Sequence, residues 1–177
     1  MRVERLTRLA VDPFDLASLE EFIRATPDMM PEAARLADGA ARDLENYASL
    51  ALLNSTIRVR LDEWPGTEWL ALPVAPYVAG APLAVTVDGQ AVAAFTAVDG
   101  LRPALRLADL PVDGEIVITY QAGFGATLAE IPPDLRHVIL DQAAVAFDLR
   151  GQSDPKFGTG LSPHMARVAA RYRRVAV

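Results

Sequence analysis

At Asn54 the apolar residues change period, and this change constrains the fold more than any other feature of the chain. Ile57, Val59 and Leu61 alternate with Thr56, Arg58 and Arg60, the pattern of a strand with one face buried. Trp64-Pro65-Gly66 reads as a turn and Trp69 to Leu72 as a short second strand. Pro73, Pro76 and Pro82 punctuate a loop that cannot serve as a central strand. Further strand segments follow near Leu83–Val87, Val92–Val98, Ala104–Leu107 and Glu115–Tyr120. Asp88-Gly89, Asp99-Gly100 and Asp113-Gly114 fall between them. Asp-Gly accepts the positive φ angles of tight hairpin turns. Three such pairs over so short a span predict an antiparallel meander, not a parallel α/β sheet.

Helical periodicity flanks this block. Asp15 or Ser18 can cap a short helix running to about Arg24, with Leu16, Leu19, Phe22 and Ile23 on one face. After a break at Thr26-Pro27-Asp28, a longer helix is expected from about Pro31 to Ala48. Its small-residue face comprises Ala33, Ala37, Ala40, Ala41, Leu44, Tyr47 and Ala48, with Glu32, Arg35, Asp38, Arg42, Asp43 and Glu45 mostly on the other side. Beyond Tyr120 a glycine loop, Gly123-Phe124-Gly125, leads to Pro132-Pro133-Asp134, which opens a helix to about Leu149. That helix is apolar on most sides, with a narrow polar stripe of His137, Asp141 and Asp148, so it must be covered on several faces, in a core or between subunits. Residues 151–161 read as a polar loop, and Ser162-Pro163 caps a last helix with Met165, Val168, Ala169 and Tyr172 as its stripe. The expected fold class is α+β: N-terminal helices, an antiparallel meander, a buried helix and a C-terminal helical arm. The expected division is a core over 1–150 and a loop plus basic helical arm over 151–177.

Composition narrows the function classes. Of 177 residues, 51% are apolar and 23% charged, a globular balance. No apolar run approaches the roughly 18 residues of a membrane span, and Met1-Arg2-Val3-Glu4-Arg5 leads into no secretory h-region. The chain has no cysteine, which removes disulfides, thiolate metal sites and cysteine nucleophiles. The net charge of −6 opposes general binding along a nucleic-acid backbone.

Catalytic motifs are sparse. His137 has Asp141 one turn on, and His164 lies in the first turn of the last helix, but no His-Glu-x-x-His pattern is present. Both histidines read as structural. Gly123-Phe124-Gly125 lacks the lysine and hydroxyl of a phosphate loop and reads as a chain reversal needing glycine dihedrals. No G-x-S-x-G elbow occurs. No catalytic, cofactor-binding or metal-binding residue is assigned. Trp64 and Trp69 fit either a core or an interface anchor.

The most informative feature is the charge of the tail. From Ser162 to Val177 there are four arginines (Arg167, Arg171, Arg173 and Arg174) and no acid, so a tail of +4 follows a body of −10, giving the total of −6. It reads either as a solvated helix end favoured by the helix dipole or as an arm made to dock on an acidic partner.

The order of these segments resembles the head–tail connector family of tailed phages and prophages, which includes the adaptors of gene transfer agents. The stretches that carry the resemblance are Arg42-Asp43-Leu44-Glu45-Asn46-Tyr47, Thr56 to Pro65, Ile118 to Gly125, and Ile131 to Ile139. Each is weak alone; their order is the signal. Phe124 stands where the family commonly has tyrosine, and the Arg-rich start is unusual.

The resemblance implies a structural protein, not an enzyme. It implies a closed homo-oligomeric ring, twelve-fold by family pattern, in the neck of a phage-like particle assembled in the bacterial cytoplasm. Its partners would be a portal protein on one side and a neck or stopper protein on the other, with DNA passing through the lumen past an acidic body. Portal docking would fall on Met165, Arg167, Val168, Arg171, Tyr172, Arg173 and Arg174. Two alternatives stand beside this one: a stopper or tail-terminator position in the same neck, and a small ligand-binding or hydrolytic domain using dispersed carboxylates.

Overall fold

The computed structural model describes residues 1–109, 114–150 and 160–173. They form eight strands and four α-helices, an α+β fold with antiparallel sheets as expected. The chain divides into two compact units, one of residues 1–9 and 49–126, the other of 10–48 and 127–177.

The first unit is the β unit. A five-stranded sheet has the order β1 (Arg2–Arg8), β2 (Ser55–Leu61), β8 (Ile116–Ala122), β4 (Leu83–Val87), β5 (Gln90–Val92). A three-stranded sheet has the order β3 (Leu70–Ala71), β7 (Ala104–Leu107), β6 (Phe95–Val98). Every pairing between these strands is antiparallel. The strands do not run as one continuous meander. The segment expected as a single strand over 92–98 breaks into β5 and β6, which belong to different sheets. β8 then inserts between β2 and β4, so the central pairing joins strands far apart in sequence.

That central pairing explains the core. Both β2 and β8 alternate buried and half-buried residues along their whole length. Their register sets Ile57 against Tyr120, Val59 against Ile118 and Leu61 against Ile116. These side chains cluster with Leu70, Leu72, Leu105 and Leu107 from the smaller sheet and its flank. The Tyr120 hydroxyl is hydrogen-bonded within this core: it donates to the Val74 carbonyl at 3.0 Å and accepts from the Val74 amide at 2.9 Å. Burial pushes its pKa up. Trp64 joins the core and donates to the Thr67 carbonyl over 2.7 Å, whereas Trp69 is 37% exposed.

The first Asp-Gly pair forms the expected tight hairpin turn, whereas the second lies in a five-residue connection, with Val98 opposite Ala104. Asp88 and Gly89, with φ of 47° and 78°, connect β4 to β5 with Val87 opposite Gln90. Gly100, at φ 86°, lies between β6 and β7 and exchanges hydrogen bonds with Tyr77. In the third pair Asp113 is outside the described residues. Gly114 packs beside Asp88, whose carboxylate accepts from the Glu115 amide at 2.8 Å. Gly123 confirms the chain-reversal reading of its loop. Its φ is 143°, and an added Cβ would lie 2.6 Å from the Asn54 amide nitrogen and 2.7 Å from the Asn54 Cα.

β1 is a correction, since no strand is expected at the N-terminus. It is exposed at all but one position, so it carries no period-two signal. A bulge between Arg5 and Thr7 shifts its register against β2. The Thr7 hydroxyl pairs with that of Thr56 at 2.8 Å.

The second unit is helical: α1 (Leu16–Ile23), α2 (Met30–Ala48), α3 (Pro133–Asp148) and α4 (Pro163–Tyr172). Asp15 caps α1, accepting from the Ser18 amide at 2.8 Å and the Ser18 hydroxyl at 2.7 Å. These bonds hold its carboxyl below the usual carboxylate range. The small-residue face of α2 is buried as expected, but Glu45, expected on the polar side, is buried too. The all-round apolar character of α3 has its explanation inside the unit, because α1, α2 and α4 all pack against it. Among the described residues no helix is long and apolar enough to cross a membrane.

Candidate functional site

The candidate site is α4 and the residues that receive it. Ser162 caps the helix, its hydroxyl accepting from the Met165 amide at 3.1 Å. Gln142, buried on α3, fixes the approach to that cap. Its side-chain oxygen accepts from the Ser162 amide at 2.7 Å, and its nitrogen donates to the Gly160 carbonyl at 3.4 Å. His164 pairs with Asp141 at 3.2 Å and stands edge-on to His137, ring centroids 6.0 Å apart. His137 in turn stands edge-on to Phe22 at 5.8 Å. The two histidines therefore share one aromatic stack across α1, α3 and α4. Among the described residues no group of three His, Asp or Glu side chains can hold a metal ion.

The far end of α4 is held as well. The Tyr172 hydroxyl donates to Asp134 at the start of α3 over 2.7 Å, and an Arg171 nitrogen lies 3.9 Å from the same carboxylate. Burial, followed by the bond to Asp134, pushes the Tyr172 pKa up to about 12. The Arg173 guanidinium sits over the Tyr47 ring, 5.1 Å from its centroid, a favourable placement for a cation.

This geometry sorts the seven residues named for docking. Met165 and Val168 are buried within their own helical unit, because the apolar stripe of α4 faces α2 and α3. They are not available to a partner while α4 stays packed. Tyr172 is half-buried on Asp134. Arg167, Arg171 and Arg173 are exposed. Arg167 and Arg171 are four residues apart, so they share the side of the helix opposite the buried stripe. Arg174 and residues 151–159 of the preceding loop lie outside the described residues. Gln142 escaped the sequence reading, which has Asp134 only as a helix start and Asp141 only in a polar stripe. All three receive α4 from a helix whose apolar content masked that role.

Comparison with solved structures bears on what this arrangement belongs to. A chain from the neck of an empty GTA particle, computed with C6 symmetry, matches with a TM-score of 0.79 and 26% identity. The match covers 100% of this chain and 97% of that one. The chain has the fold of a gene transfer agent neck protein. A chain of the native GTA virion matches with a TM-score of 0.78 and one from a native GTA neck computed with C12 symmetry with 0.75, each at 24% identity and the same coverage. No protein-family profile and no curated protein sequence matches the chain. The connector resemblance read from the order of motifs therefore holds for the neck-protein fold over its full length. The match includes both units, β1 and the C-terminal helix.

Proposed function

We propose that the chain is a structural head–tail adaptor, one subunit of a ring in the neck of a phage-like particle. The observation that carries this is the full-length match to a chain in a particle neck at a TM-score of 0.79. The symmetries of the two neck structures, C6 and C12, support a ring of copies. The ring binds the portal on one side and a stopper or other neck protein on the other, and DNA passes through its lumen. The exposed side of α4, with Arg167 and Arg171, and Arg173 just beyond it, supplies the portal contact. Arginine suits such a contact because its planar fork pairs with carboxylates in two bonds. The packing of Met165, Val168 and Ala169 holds that basic side in place before any partner arrives.

The test is binding of the full chain to the portal and to the tail-side neck proteins encoded with it, each purified separately. Binding to the portal supports the adaptor position. Binding to the tail-side proteins without the portal would move the chain to a stopper or terminator position.

A further inference from the structure

The exposed apolar side chains are unevenly placed. Of thirteen exposed large apolar residues among those described, five (Met1, Val3, Leu6, Leu9 and Val11) fall in the first eleven positions. Four of them lie on or beside β1, a seven-residue strand exposed on both faces and hydrogen-bonded through one edge to β2. An exposed strand edge is normally blunted by shortness, proline or cover. This edge is long and carries apolar side chains, which marks it as a surface to be covered.

Charge indicates the cover. Residues 1–9 hold Arg2, Arg5 and Arg8 against Glu4 alone. Residues 12–28, containing α1, hold Asp12, Asp15, Glu20, Glu21 and Asp28 against Arg24 alone. That acidic segment also exposes Leu16 and Phe22, 48% and 42% accessible, and Met29 follows at 37%. A closed ring needs two different patches on each subunit that complement each other by rotation. A basic apolar strand and an acidic apolar helix are such a pair.

We infer that β1 is the subunit-to-subunit clasp of the ring, lying on the α1 surface of the next copy of this chain. This rests on the ring reading above. Arg2 and Arg8 meet the neighbour's acidic residues, and Val3 and Leu6 meet its Leu16 and Phe22.

The test uses assembled particles carrying the full chain with Leu6→Cys and Leu16→Cys together. The native chain has no cysteine, and both positions are exposed. The particles are treated with a short bismaleimide linker and run on a denaturing gel. The expected result is a ladder of covalent multimers of this chain, with no ladder from either single variant. A chain that is present in the particle but stays single, closes a link within itself, or links to another protein overturns the clasp and leaves the neck assignment standing. Absence of the chain from particles that contain a complete neck would overturn both.

Discussion

The Tyr172 hydroxyl donates to the Asp134 carboxylate over 2.7 Å, tying the last turn of α4 to the first turn of α3. Gln142 to Ser162 and Asp141 to His164 tie α4 and its cap to α3 as well. Together they keep the basic side of the helix oriented while its apolar stripe is buried.

Tyr172→Phe removes the hydrogen bond and keeps the ring. A charge-assisted bond at a half-buried site contributes about 1–2 kcal/mol, so thermal unfolding should drop by roughly 2–6 °C in a chain of this size. The pH dependence carries a sign. The folded pKa of Tyr172 is raised from 10.0 to about 12, so the neutral phenol is favoured in the folded state. Its contribution is complete below pH 10 and is lost as pH rises towards 12. The stability difference between wild type and variant should therefore be constant from pH 7 to 9 and shrink above pH 10, as read by denaturant unfolding. A difference that grows above pH 10 would contradict the assignment.

Gly123→Ala should be among the most damaging single-methyl additions. The new Cβ meets backbone atoms of Leu53 and Asn54, all within 2.7 Å, at a φ of 143°, and backbone cannot step aside as a side chain can. Strain and overpacking together cost about 2–5 kcal/mol. For Gly114→Ala, at a φ of 130°, the three atoms nearest the new Cβ all belong to the Asp88 carboxylate, which can turn away at the loss of its bond to the Glu115 amide. Comparing the two variants by chemical unfolding should rank Gly123 well above Gly114; equal losses would contradict the geometry.

Arg167, Arg171 and Arg173 replaced together by glutamate should abolish portal binding while circular dichroism and the unfolding midpoint stay close to wild type. All three are exposed; Arg171 lies 3.9 Å from Asp134 and Arg173 over the Tyr47 ring, exposed contacts worth about 1 kcal/mol or less each. Portal affinity unchanged in a pull-down or in titration calorimetry would remove this surface from the docking role.

The sequence already contained most of the elements. β4, β7, the Asp15 and Ser162 caps and the bulk of α2 and α3 follow from local periodicity and turn chemistry, which are short-range signals. β1 was illegible because a strand exposed on both faces has no alternation to detect. The placement of β8 between β2 and β4 was illegible because strand order is set by long-range packing, here the match of Ile57, Val59 and Leu61 to Tyr120, Ile118 and Ile116. For the site, the arginines of α4 were visible as a charge block. That Met165 and Val168 are covered by α2 and α3 is not readable in the sequence, since an amphipathic stripe shows that a helix is covered without showing by what.

A ring subunit of a particle neck has to be found in that neck. Cryo-electron microscopy of particles purified from the source organism tests this most directly. The expected result is a ring of this chain at the portal, with Arg167, Arg171 and Arg173 directed at portal density. A neck resolved in full with no copy of this chain would contradict it.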